Sequence, residues 1–230
     1  MHDDVLATLH SYASPEKAII LQRFFKIGKG EYGQGDKFLG ITVPTIRQVA
    51  KQRKHLSLNE LEPLLHSERH EVRMYALLIL IEQTKKSEVS EKILQFYLRN
   101  TAYINNRDLV DLTAPEIVGR YYFHQDRSHL YQLASSSLLR DRRIAVLATF
   151  YFIKQGQYQD TFQLAEFLLH DKHDLMQKAI GRMLREVGKR VDLNLLRGFL
   201  DTYVHQMPRT MLRYAIEKLP ADERKSYLLR

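Results

Sequence analysis

Two aspartates three residues apart are where chemistry first becomes legible in this chain. They lie in Asn105-Asn106-Arg107-Asp108-Leu109-Val110-Asp111. On a helix, Asp108 and Asp111 share a face. Two neighbouring carboxylates can act as general acid and general base at a glycosidic bond. The plainer use has Asp108 capping a helix and Asp111 in a salt bridge, and spacing alone leaves both uses open.

A basic stripe is the second constellation. Lys178, Arg182, Arg185 and Lys189 recur at i, i+4, i+7 and i+11. A helix sets them in one line, opposite Met176, Ile180, Met183 and Val187. Like charges at i, i+4 repel, so the line requires either solvent or an anionic partner. Arg140, Arg142 and Arg143 cluster before another helix, and Arg209 and Arg213 share a face of a third. Where helices stack as repeats, equivalent faces align, and these clusters merge into one phosphate-binding track. A set of solvated helix faces is the alternative.

Other reactive types give less. His66 and His70 are spaced i, i+4, and His170 and His173 i, i+3. Neither pair forms a His-Glu-x-x-His motif, and both fall in expected interhelical turns, so no metal site is expected. The chain has no cysteine, which excludes disulfides and thiolate zinc sites. Five of its 10 glycines fall between Gly28 and Gly40. That stretch lacks a Gly-Lys-Ser/Thr ending and a preceding strand. It is read as a flexible connection whose main-chain N–H groups can approach a DNA backbone. No nucleophile elbow or dinucleotide motif is present, and no cofactor is expected.

The elements that must position these residues are helices. Val72, Tyr75, Ala76 and Ile79 have the spacing of a buried helix face. So do Ile144, Leu147, Ala148 and Tyr151, the Met176–Val187 line, and Leu212, Ala215, Ile216 and Leu219. No sustained alternation marks a strand. Ser57-Leu58-Asn59-Glu60 reads as a capping box. Pro15 and Pro208 suit first helical turns, and Gly188 is expected to end the helix begun near His173. The segments pair as 57–84, 90–123, 126–155, 158–187 and 192–219, with a short helix after Pro220. Units of roughly 30 to 40 residues are the spacing of helical solenoids. The expected fold is therefore all-α, a HEAT-like helical-pair solenoid (an α-α superhelix) with a concave basic face, formed by residues 1–230 as a single domain. A non-repetitive helical bundle is the alternative.

Composition agrees with a polyanionic partner. The 230 residues carry a formal net charge of +8 and are 44% hydrophobic. From Leu139 to Arg230 there are 17 Lys/Arg against 11 Asp/Glu, so positive charge gathers toward the C-terminal end. The start, Met1-His2-Asp3-Asp4, is acidic and unlike a signal peptide. The aliphatic run Tyr75–Ile81 is too short to span a bilayer. The expectation is a monomer of the bacterial cytoplasm, away from membranes and associated with the nucleoid when bound to DNA.

Four ordered segments carry a family resemblance. They are Phe38-Leu-Gly-Ile-Thr-Val-Pro44, Asn105–Asp111, Gln177-Lys-Ala-Ile-Gly-Arg-Met-Leu-Arg-Glu186 and Met207-Pro-Arg-Thr-Met-Leu-Arg-Tyr-Ala-Ile-Glu-Lys218. From about Ser14 to the C-terminus the chain resembles the AlkD-type alkylpurine DNA glycosylases. The resemblance implies a HEAT-like solenoid holding double-stranded DNA on its concave face. It implies hydrolytic release of N3- or N7-alkylated purines, without a metal and without a base-flipping pocket. By position, Asp111 matches the family's catalytic aspartate, and Arg143 a DNA-contacting arginine beside it. Asp108 is a secondary candidate. The expected DNA contacts are Arg107, Arg140, Arg143, Lys178, Arg182, Arg185, Lys189, Arg209 and Arg213.

Two positions depart from that pattern. The family usually has tryptophan where this chain has Arg107 and Arg182, and this chain has no tryptophan at all. Aromatic faces attract cations, whereas an arginine repels the cationic sugar of the reaction and suits phosphates instead. Three functions follow in order. The first is an alkylpurine glycosylase using Asp111, and the second a catalytically weak DNA-binding relative that recognises damaged or branched DNA. The third is a HEAT-type protein-interaction scaffold, against which the clustered cations and Asp111 argue.

Overall fold

The computed structural model describes residues 2–25, 27–31, 33–85 and 88–230. Its elements in chain order are α1 (His2–His10), α2 (Pro15–Phe24), α3 (Val43–Gln52), α4 (Leu58–Leu65), α5 (His70–Thr84) and α6 (Glu91–Arg99), then a 3-10 turn at Thr101–Tyr103. There follow α7 (Arg107–Ala114), a π turn at Pro115–Gly119, α8 (Arg120–Phe123), α9 (Ser128–Ala134), α10 (Leu139–Lys154) and α11 (Gln159–Phe167). The chain ends with α12 (Asp174–Arg190), α13 (Leu193–Tyr203), α14 (Arg209–Ala215) and α15 (Ala221–Leu229). No strand occurs among the described residues; an isolated bridge joins Lys37 and Arg69.

The local signals act as their chemistry requires. Ser57 and Glu60 form the reciprocal capping box of α4. Ser14 accepts from Lys17 N at the start of α2, with Pro15 in the first turn. Gly188 does not end a helix as expected: α12 runs on to Arg190. Gly188 instead makes room for α13, since a Cβ there would lie 2.6 Å from Leu196 Cδ2. Pro115 lacks the N–H that would continue the α ladder, and the backbone passes through the π turn.

The chain divides into two compact units, Met1–Thr113 and Ala114–Arg230. In the first, α3 and α4 pack on α5. Every residue of α5 from His70 to Ile81 is buried, so this helix is the core of the unit rather than one amphipathic wall. In the second, α10, α12 and α14 pack in succession, while α9 and α11 flank α10 and α13 flanks α12. That is a helical-repeat arrangement. Gly181 sets the α12–α14 separation, because a Cβ there would meet Met211 O at 2.3 Å. Two of the four family-like segments thus meet through backbone contact.

Candidate active site and charged surfaces

The first unit gathers ionisable groups around Asp36, which is 5% exposed. Asp36 lies at the end of the glycine-rich connection, where its carboxylate accepts from Arg73 Nη2 at 2.7 Å, Asn106 Nδ2 at 3.0 Å, Asn105 Nδ2 at 3.1 Å and His70 Nδ1 at 3.3 Å. Burial works to raise its pKa, but the His70 hydrogen bond, the Arg73 charge and the two asparagines outweigh it and hold Asp36 at about 2. The other ring nitrogen of His70 donates to Asp108 at 2.9 Å. Burial disfavours the imidazolium, yet the bonds to Asp108 and Asp36 prevail and push His70 up to about 9. His70 is therefore a cation between two carboxylates at neutral pH.

This lattice fastens the start of α7. Asn106 accepts from Arg107 N at 2.8 Å, while its own amide is bound by Asp36. Asp108 is held by His70 through one carboxylate oxygen and accepts from Leu109 N at 2.9 Å, in the first turn of α7, through the other. Next to it, Glu71 accepts from the N–H groups of Gly40 at 2.8 Å, Leu39 at 2.9 Å and Ile41 at 3.3 Å. Gly40 has φ +79°, and a Cβ there would lie 2.1 Å from Ser14 O. The family-like segment 38–44 is thus shaped by one buried glutamate and one obligatory glycine. A cavity of about 330 Å³ opens beside it, with Ile20, Phe25, Ile46 and Met74 in its walls and Asp108 and His70 at its polar side.

Asp111 sits one turn beyond Arg107 on α7, half-buried. Its charge reaches the buried hydroxyl of Tyr97, which contacts Thr113 Oγ1 at 2.8 Å. Burial, with the Asp111 charge adding to it, pushes the Tyr97 pKa up. Arg107 stacks its guanidinium over Phe24, 4.5 Å from the ring centroid, and lies 5.6 Å from that of Phe25.

The other expected DNA contacts lie in the second unit, in differing states. Arg143 is 6% exposed and donates to Leu175 O at 2.6 Å. Arg140 is half-buried, 3.9 Å from Asp141, and its Nε has no hydrogen-bond partner. On α12, Lys178 pairs with Asp174 at 2.6 Å, and Arg185 pairs with Glu217, in the turn after α14, and with Glu186. Arg182 is half-buried; Lys189 and Arg213 are exposed. Arg209, also exposed, donates to Leu228 O at 2.6 Å. The basic stripe is therefore graded, compensated by acids at Lys178 and Arg185 and exposed at Lys189.

The sequence reading missed Asp36, Glu71 and Arg73. One signal was available: His70-Glu71-Val72-Arg73 sets three ionisable residues directly before the apolar run Met74–Ile81, which requires buried partners. His66, paired in the sequence with His70, instead contacts Asn100 at 2.7 Å and stacks on Tyr103. Among the described residues no group of three or more His, Cys, Asp or Glu is arranged to hold a metal ion. No helix among them is long and apolar enough to cross a membrane.

Residues 5–219 match the model of a family described as DNA alkylation repair enzyme. A solved structure, a predicted DNA alkylation repair enzyme from Enterococcus faecalis, superposes with a TM-score of 0.69. It is 18% identical, and the match covers 91% of this chain and 97% of that one. No curated protein matches.

Proposed function

The chain belongs to the DNA alkylation repair enzyme family, and from that premise we propose that it binds duplex DNA and hydrolyses the N-glycosidic bond of N3- or N7-alkylated purines. The observation that carries this reading is the placement of Asp111. It is a half-buried carboxylate on a helix whose first turn is fixed by Asp36, His70, Asn105 and Asn106. An anion held rigidly where positive charge develops stabilises the transition state without reorganisation.

The reaction asks little else of the protein. An N3- or N7-alkylated purine already bears positive charge, so it departs with the C1′–N electron pair as a neutral base and needs no general acid. Water adds to C1′ of the remaining oxocarbenium-like sugar and loses a proton, and a carboxylate beside it can orient that water and accept the proton. Asp108, bound to cationic His70, is the positioning partner in this scheme.

A second reading has its own support. Arg107 brings a guanidinium to the same helix as Asp111, where a cation opposes a cationic sugar and favours a phosphate. On that reading the protein recognises damaged or branched DNA without cleaving it. Duplexes containing N7-methylguanine or N3-methyladenine, incubated with excess protein, separate the two. Base release above the uncatalysed rate, measured by chromatography, supports the glycosylase; none on either lesion supports the binding protein.

A further inference from the structure

Phe24, the last residue of α2, is 61% exposed. The ring is not idle, because the Arg107 guanidinium lies over it at 4.5 Å. The support beneath is rigid. Phe25, the adjoining ring, is 6% exposed and stacks on Phe38 at 5.3 Å and on His70 at 5.3 Å. A guanidinium laid on an aromatic face spends only its π surface there, and its N–H groups point outward in the plane. No described residue accepts a hydrogen bond from those groups, and no described carboxylate pairs with Arg107. Lys178 and Arg185, by contrast, have acids beside them. Among the described residues the Arg107 donor edge is therefore uncommitted, and its guanidinium is seated over the Phe24 ring one turn from Asp111 on α7.

We propose that Phe24 is a positioning residue for DNA binding: its exposed ring holds the Arg107 guanidinium over its face, so that the donor edge grips a backbone phosphodiester. A free arginine loses rotamer entropy on gripping an anion, and a preformed stack lowers that loss. The inference rests on the reading that duplex DNA is the partner, and it does not depend on whether base is released.

Anisotropy titrations of a labelled duplex across a range of NaCl concentrations test it. The proteins are the parent, F24A, F24L, F24Y, R107A and the F24A/R107A double variant. R107A is expected to lower the log–log salt slope by about 0.9, the value of one phosphate contact. F24A and F24L are expected to weaken binding roughly two- to fivefold, the range of an exposed cation–π contact, and to lower the slope in part. F24Y, which keeps the ring, is expected to bind as the parent does. The double variant is expected to bind no more weakly than R107A alone, because Phe24 acts through Arg107. F24L keeps apolar bulk without a ring face, so parental affinity and slope in F24L overturn the proposal. So do losses from F24A and R107A that multiply in the double variant. A parent that fails to bind duplex DNA at low salt removes the DNA reading itself, and the proposal with it; that result is distinct from a binding parent with an indifferent F24L.

Discussion

His70 Nε2 and an Asp108 carboxylate oxygen lie 2.9 Å apart, which ties the first turn of α5 to the first turn of α7. The two residues are 38 apart in the chain, and their ion pair holds in place the helix that carries Asp111.

That tie predicts a pH dependence of stability. The folded protein raises His70 from 6.5 to about 9. A raised pKa contributes stability that is complete below the unfolded value and is lost as pH climbs through the folded one. Stability should therefore fall between pH 6.5 and 9, by on the order of 3 kcal/mol at most. Asp36 has the opposite sign: its contribution is present above 3.8 and lost as pH falls toward about 2. Urea unfolding of the parent and of His70→Asn at several pH values measures this. The alkaline decline should be absent from the variant; an unchanged decline in His70→Asn would assign it to other groups.

Asp36→Asn should be the more damaging change. It removes the anion between His70 and Arg73, and Arg73 is only 4% exposed. Stranding a buried guanidinium in this way costs on the order of 3 kcal/mol. Denaturant midpoints should shift accordingly, while Asp4→Asn, whose salt bridge with Arg53 is at the surface, should change stability by less than about 1 kcal/mol. Equal shifts in both would show that the Asp36 lattice is not what fastens α7.

How much of this was legible in the sequence depended on the range of the interaction. Ser57–Glu60, Ser14–Pro15 and the helix after Pro220 are local, and their chemistry is complete within four residues. The apolar periods gave the helices for the same reason. Asp36, by contrast, meets partners 34 to 70 residues away, and nothing in its own glycine-rich neighbourhood announces them. Periodicity also misled at α5, where Val72, Tyr75, Ala76 and Ile79 marked one face of a helix that is buried all round. Gly188 looked like a stop because a C-cap glycine and a close-packed glycine are the same letter. For the site, Asp111 and the arginines came from resemblance and spacing. The acids that pair with Arg185, Glu217 and Glu186, belong to tertiary structure and neighbouring helix faces.

Those pairings sort the cations. Lys189 and Arg213 are exposed, whereas Arg185 joins α12 to the turn after α14 through Glu217. The Lys189→Ala/Arg213→Ala variant should flatten the salt dependence of duplex binding by about 0.9 for each phosphate that is no longer neutralised, with its melting temperature unchanged. Arg185→Ala should do the reverse, leaving the slope near that of the parent and costing about 1–2 kcal/mol of stability as a charged hydrogen-bond partner disappears. A slope that drops only in Arg185→Ala would contradict this division.

Asp111→Asn addresses catalysis. Asparagine keeps the shape of the side chain and removes the negative charge that a cationic sugar requires. Loss of one preorganised electrostatic group commonly lowers a rate on the order of a hundredfold or more, so single-turnover release of N7-methylguanine should fall by that much. Duplex affinity should hold or rise slightly, because a charge that repels phosphates has gone. Asp108→Asn is the control. It breaks the ion pair with cationic His70, so its loss of activity should come with a loss of stability that Asp111→Asn does not share. Arg107→Trp tests the guanidinium's effect on the same helix: with the repelling cation replaced by an aromatic face, the rate should rise. A parent that releases base and an Asp111→Asn variant that releases it equally fast would take the catalytic role from Asp111. A parent that binds the duplex and releases nothing would instead favour the reading in which the protein grips DNA without cleaving it.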